Sequence, residues 1–108
     1  MISDQAIQEI SNQIAKEFSP QKIILFGSYA RKEANEQSDL DLFIMLENEP
    51  DRSLKKQILK TLRLKFFDLN FPIDIIINSK ERYEKFKNYV GTVFYDIYKE
   101  GVVLWTRP

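Results

Sequence analysis

Three carboxylates, a Gly-Ser pair and one arginine have the types and spacing to carry chemistry. Asp39 and Asp41 flank Leu40 at the head of the apolar run LDLFIML, and Asp74 is the second residue of another, IDIII. An ionised carboxylate taken out of water without a partner costs several kcal/mol, and neighbouring like charges repel. Neither run contains a cation to offset them. One or two divalent ions would do so, and Mg²⁺ takes carboxylates together with phosphate oxygens. Gly27-Ser28 closes the run KIILF. Glycine lets a backbone approach phosphate, successive N–H groups form an anion-binding concavity, and Ser28 adds a hydroxyl. Arg31 follows closely and can neutralise phosphate oxygens. This set suits a nucleoside triphosphate: metal-binding acids, a phosphate cradle and a third acid able to activate an attacking hydroxyl. Paired metal ions would clamp the attacking and leaving oxygens of an in-line transfer.

Composition narrows the alternatives. The chain has 108 residues and 12.8 kDa, which predicts one domain over 1–108. It contains no cysteine and no histidine, so disulfides, imidazole bases and Cys–His zinc sites are excluded. Sixteen basic residues balance sixteen acidic ones, which argues against a general nucleic-acid or polybasic membrane binder. No apolar run reaches the roughly 18 residues that span a bilayer. Met1–Gln5 lacks the basic and apolar regions of a signal peptide, so a cytoplasmic protein is expected.

The elements that must position these residues follow from periodicity. Ile7, Ile10, Ile14 and Phe18 mark an amphipathic helix over Asp4–Phe18, stopped by Ser19-Pro20. KIILF at 22–26 and LDLFIML at 40–46 read as strands, with a polar stretch over Tyr29–Ser38 carrying at most one helical turn. Leu54, Ile58, Leu62, Phe66 and Leu69 mark a second helix, and Ile73–Ile77 a third strand. Ser79 N-caps a helical stretch bearing Tyr83, Phe86, Val90, Val93 and Ile97, which Gly91 kinks or divides. Gly101 stands where a C-cap glycine belongs, before a last strand at 102–105. The link between the first two strands is too short for a helical crossover, so they pair antiparallel. The link between the second and third carries a helix, so they run parallel. This α/β (α+β) arrangement is a mixed sheet of about four strands flanked by helices. It brings Gly27, Ser28, Asp39, Asp41 and Asp74 to one end of the sheet. Asp39 and Asp41, two apart, leave the same face.

The run ILFGSYAR, then SDLDLFIML, PIDIII and KEGVVLW, resembles the DNA polymerase β-type nucleotidyltransferase superfamily, and within it the minimal nucleotidyltransferase (MNT) group. The likeness spans nearly the whole chain. It implies transfer of a nucleoside monophosphate from an NTP, usually ATP, to a hydroxyl with Mg²⁺. It implies Asp39 and Asp41 as metal ligands, Asp74 as the third acid, and Gly27 and Ser28 as triphosphate holders. Lys32 stands where the family commonly has glycine. Minimal members lack an acceptor-binding domain and resemble one half of a pair with a HEPN-domain RNase toxin. There the MNT protein is the antitoxin and adenylylates a tyrosine of the toxin. A non-catalytic antitoxin acting by contact and a small-molecule, aminoglycoside-type enzyme are the competing readings, and a homodimer stays open.

Structural roles compete for several of these residues. Arg31 could pair with Glu33 or Glu36, and Ser28 could cap the following turn. Lys56, Lys60 and Arg63 read as a solvated helix face. Tyr83, Phe86, Val90, Phe94 and Trp105 are expected in the core. Phe67, Tyr89, Tyr95 and Tyr98 fall partly off the buried faces, where a partner could cover them.

Overall fold

The computed structural model describes residues 1–108. Helix α1 (Asp4–Phe18) starts at Ser3, whose hydroxyl accepts the Ala6 N–H, and stops at left-handed Ser19, which donates to Ala15. Strand β1 (Lys22–Phe26) leads into the single turn of α2 (Gly27–Ala30) and then strand β2 (Leu40–Leu46). Helix α3 (Arg52–Lys65) begins at Asp51, which accepts the Leu54 N–H, and precedes strand β3 (Ile73–Ser79). Helices α4 (Lys80–Phe86) and α5 (Val93–Glu100) and strand β4 (Val102–Thr106) complete the chain.

The sheet order is β3-β2-β1-β4. β1 pairs antiparallel with β2 and β2 parallel with β3, as the link lengths predict, and β1 also pairs antiparallel with β4. Strand alternation sorts the apolar residues onto two faces. Ile23, Leu25, Leu40, Leu42, Ile44 and Ile77 meet the buried stripes of α1 and α3 in a cluster of 13 buried residues. Ile24, Phe26, Phe43 and Met45 meet Tyr83 of α4 and Phe94 and Ile97 of α5 in a cluster of 7. Phe43 is the hub of the smaller cluster, stacked on Tyr83 and edge-on to Phe94.

Three expectations need correction. The second helix ends at Lys65, although its apolar stripe continues: Phe66 and Leu69 pack against the core from a turn in which Leu69 donates to Phe66. Val90 is 80% exposed, because the helical stretch breaks after Phe86 and restarts at Val93. Residues between the two helices turn through Gly91 at φ +96, so Val90 lies on no helix face. Gly101 caps α5 as expected, in extended conformation (φ −66, ψ 144). It must be glycine for space: a Cβ would lie 2.2 Å from the Ile97 carbonyl oxygen and 2.6 Å from Ile24 Cγ2. Finally, the helical turn after β1 begins at Gly27, earlier than expected, and buries Tyr29.

Candidate active site

Asp41 and Asp74 are register partners across the parallel β2–β3 pair, and Asp41 lies opposite Phe26 on β1. Alternation puts both acids on the face carrying Phe43, Met45 and Ile76, the side covered by α4 and α5. Asp39 precedes β2 by one residue and shares that parity. Asn35 and Ser38 shape the approach: Ser38 Oγ accepts the Asn35 N–H and Asn35 Oδ1 accepts the Gln37 N–H. The Leu40 N–H then donates to the Pro72 carbonyl, tying the starts of β2 and β3 together. Asp39 and Asp74 are exposed, while Asp41 is half-buried.

That difference shows in protonation. Burial, then the charges of Asp74 and Asp39, raise the Asp41 pKa to about 6, against a smaller opposing effect of Arg31. A half-buried carboxylate repelled by two others is a poor resting place for negative charge and a good one for a hard cation. Asp39, Asp41 and Asp74 have the donor chemistry that suits a hard cation such as Mg²⁺. The fit lies in donor chemistry and strand placement, since no three acidic side chains converge into a ready-made cage.

Gly27 closes the site from the side of β1. Its φ is +74, a left-handed value that glycine adopts without strain, and a Cβ there would sit 2.1 Å from Asp41 Oδ2. The turn therefore packs its backbone directly on the half-buried carboxylate. Ser28 is half-buried and does not cap the turn, whose start at Phe26 has no side-chain cap. Arg31 reaches the site already paired: Nε donates to Glu33 Oε2 (3.1 Å) and Nη1 to Glu100 Oε2 (2.8 Å). The hydrogen bonds it donates to Glu100 and then to Glu33 raise its pKa further. Of the two expected partners Glu33 is present, whereas Glu36 pairs instead with the N-terminal amine (3.8 Å).

Glu100 had no assigned role in the sequence, although it sits in the word KEGVVLW. Its other oxygen, Oε1, accepts the Gly27 N–H at 3.1 Å. The signal that could have found it is the Glu-Gly pair at a helix end, with the glycine fitting against a strand. Lys32 has φ +63, so the usual glycine there has a backbone reason. Its ammonium points to Asp4 on α1 (3.6 Å) and leaves the three acids untouched.

The largest cavity, about 360 Å³, lies between α3 and β3 and is lined by Leu59, Leu62, Phe66, Phe71 and Ile73. It meets the acidic site only at Asp74. Lys56, Lys60 and Arg63 are exposed on α3, as a solvated face requires. Phe67 and Tyr89 are also exposed, and Tyr98 lies under the ammonium groups of Lys87 and Lys99. Trp105 is half-buried against the larger core. No helix is long and apolar enough to cross a membrane.

A family model described as polymerase beta, nucleotidyltransferase matches residues 8–108. A Methanocaldococcus jannaschii protein named "Putative protein adenylyltransferase" is 32% identical over 107 residues, covering 97% of this chain and 100% of its own. A crystal structure described as a toxin–antitoxin with AMP-PNP aligns with TM-score 0.61 and 16% identity, over 92% of this chain and 73% of the other. A complex described as a tri-AMPylated Shewanella oneidensis HEPN toxin with MNT antitoxin aligns with TM-score 0.54 and 19% identity, over 92% and 71%. At those identities the two structures bear on the fold, a mixed sheet with flanking helices. The match over nearly the whole length, on a fold that gathers Gly27, Asp41 and Asp74 at one sheet end, places this chain in the polymerase β nucleotidyltransferase family.

Proposed function

We propose that this protein moves AMP from ATP onto a hydroxyl, a tyrosine of a HEPN-domain toxin, and so acts as the antitoxin of a toxin–antitoxin pair. The observation that carries the reading is the cross-strand pairing of Asp41 with Asp74 beneath a glycine turn that packs on Asp41. The names of the relative and of the aligned complexes support an adenylyl donor, a protein acceptor and a HEPN partner. Mg²⁺ bound by Asp39, Asp41 and Asp74 would neutralise phosphate charge and polarise the reacting phosphorus. The chain's own residues do the rest. Gly27 and Ser28 present backbone and hydroxyl to the triphosphate, and Arg31 adds positive charge beside them. The acceptor oxygen forms a bond to the α-phosphorus as the α–β bridging bond breaks. Pyrophosphate leaves, and Asp74 receives the hydroxyl proton.

The test is mass spectrometry of a HEPN partner incubated with this protein, Mg²⁺ and each NTP, beside Asp39→Asn. An increase of one nucleotide on a tyrosine that depends on Asp39 is the expected result. A second reading, neutralisation by contact, is favoured by the exposed Phe67, Tyr89 and Val90 and by an Arg31 already engaged. Tight binding with no mass increase for any NTP would select it. Turnover of a small hydroxyl compound without any protein acceptor would select the small-molecule reading.

A further inference from the structure

We propose that Glu100 is a positioning residue for the nucleotide, holding the Gly27 turn and the Arg31 guanidinium in one arrangement over Asp41. This rests on the nucleotidyl-transfer reading above. Both carboxylate oxygens are used: Oε1 accepts the Gly27 N–H (3.1 Å) and Oε2 accepts from Arg31 Nη1 (2.8 Å). Only a carboxylate can accept from two donors on two equivalent oxygens; glutamine offers one. The bond reaches from the end of α5 to the start of α2, and the close fit of Gly101 on Ile24 sets α5 where Glu100 can span it.

The placement is costly in charge. Glu100 adds a further negative group to the acidic end of the sheet, on the Gly27 turn that packs against Asp41. A solvent-exposed ion pair such as Arg31–Glu100 adds little to fold stability. Fold stability is thus a weak reason for an acid in this position. Geometry is a better one, because the Gly27 backbone it fixes is the same backbone that rests on Asp41 Oδ2.

The test compares Glu100→Ala, Glu100→Gln, Arg31→Ala and the Glu100→Ala/Arg31→Ala double variant with wild type, in transfer onto the HEPN partner. Glu100→Ala should lower kcat/KM by about 10–100-fold, mostly through KM for Mg·ATP, as a small misplacement of binding groups does. Glu100→Gln should fall between it and wild type. The double variant should be no worse than the worse single one, because both remove the same arrangement. Thermal midpoint and partner binding should stay as in wild type. In nucleotide-free protein, hydrogen exchange at the Gly27 amide should speed up in Glu100→Ala. Full activity in Glu100→Ala, unchanged Gly27 exchange, or losses that multiply in the double variant would overturn the proposal. So would tighter binding of AMP-PNP by Glu100→Ala, which would make Glu100 a competitor of the triphosphate. Wild type that transfers nothing from any NTP would sink the functional reading itself, an outcome the variant comparisons cannot mimic.

Discussion

The two faces of the sheet are built from alternate residues of the same strands, yet they do different work. Towards α1 and α3, Leu40, Leu42 and Ile44 of β2 are fully buried among aliphatic partners. Towards α4 and α5 the same strand presents Asp39, Asp41, Phe43 and Met45, and only the last two are buried. One face is apolar along the whole length of β2. The other is apolar at one end and acidic at the other, with a smaller aromatic cluster around Phe43. A polar site needs a rigid support and an opening to solvent together. The structure supplies both by making one face the foundation and shortening the core on the other.

The sharpest way to separate the faces is at the acids. Asp41→Asn should lower nucleotidyl transfer by about 10³-fold, the scale of removing one essential charge-stabilising group. The same variant should be more stable than wild type. The Asp41 pKa is raised to about 6 from an ordinary 3.8, so the native state holds that proton more tightly than the unfolded chain. Stability should fall as pH rises through that window and level off above it. Allowing for solvent screening at a half-exposed group, the loss is on the order of 1–2 kcal/mol. Asp41→Asn should abolish that fall, and Mg²⁺ should restore stability to wild type alone; denaturant titrations from pH 4 to 8 measure both.

Adjacent buried residues test the faces as cores. Phe43→Ala should cost about 3–5 kcal/mol and Leu42→Ala about 2–5 kcal/mol in urea unfolding. Leu42→Ala should leave kcat/KM of the folded fraction nearly intact. Phe43→Ala should lower it as well, since the ring supports Tyr83 of α4 and Phe94 of α5. Equal kinetic effects would mean that the two faces are not separate units.

Smaller effects come from the turns. Gly27→Ala should cost about 1–3 kcal/mol and most of the activity, because it adds a clash with Asp41 to backbone strain. Gly91→Ala shares the positive φ but meets nothing within 4 Å, so it should cost about 1 kcal/mol and no activity. Smallest of all, Lys32→Gly should relieve left-handed strain but raise the entropy of the unfolded chain, changing stability by less than about 1 kcal/mol with unchanged transfer. A large activity gain there would show that Lys32 impairs the site.

Much of this was legible beforehand because it depends on local rules. Period-3.6 stripes and the Ser79 cap locate helices, and link lengths decide that β1–β2 is antiparallel and β2–β3 parallel. Period two puts Asp39 and Asp41 on one side of β2. Less legible was where a stripe ceases to be helix. Phe66 and Leu69 keep the apolar spacing, but packing from a turn buries them as well. Val90 kept the spacing too, and a left-handed Gly91 took it out of the core.

The sequence by itself determined the chemistry available: no imidazole or thiol, three acids heading apolar strands, and a Gly-Ser turn one strand away. Those are properties of residue type and short spacing. Only the tertiary structure decided that Asp41 faces Asp74 across a strand pair, that Gly27 rests on Asp41, and that Glu100 bridges Gly27 and Arg31. Each of these joins residues far apart in the chain. Such contacts follow from how helices seat on the sheet, here through the bare backbone of Gly101 against Ile24, and no local period encodes that fit.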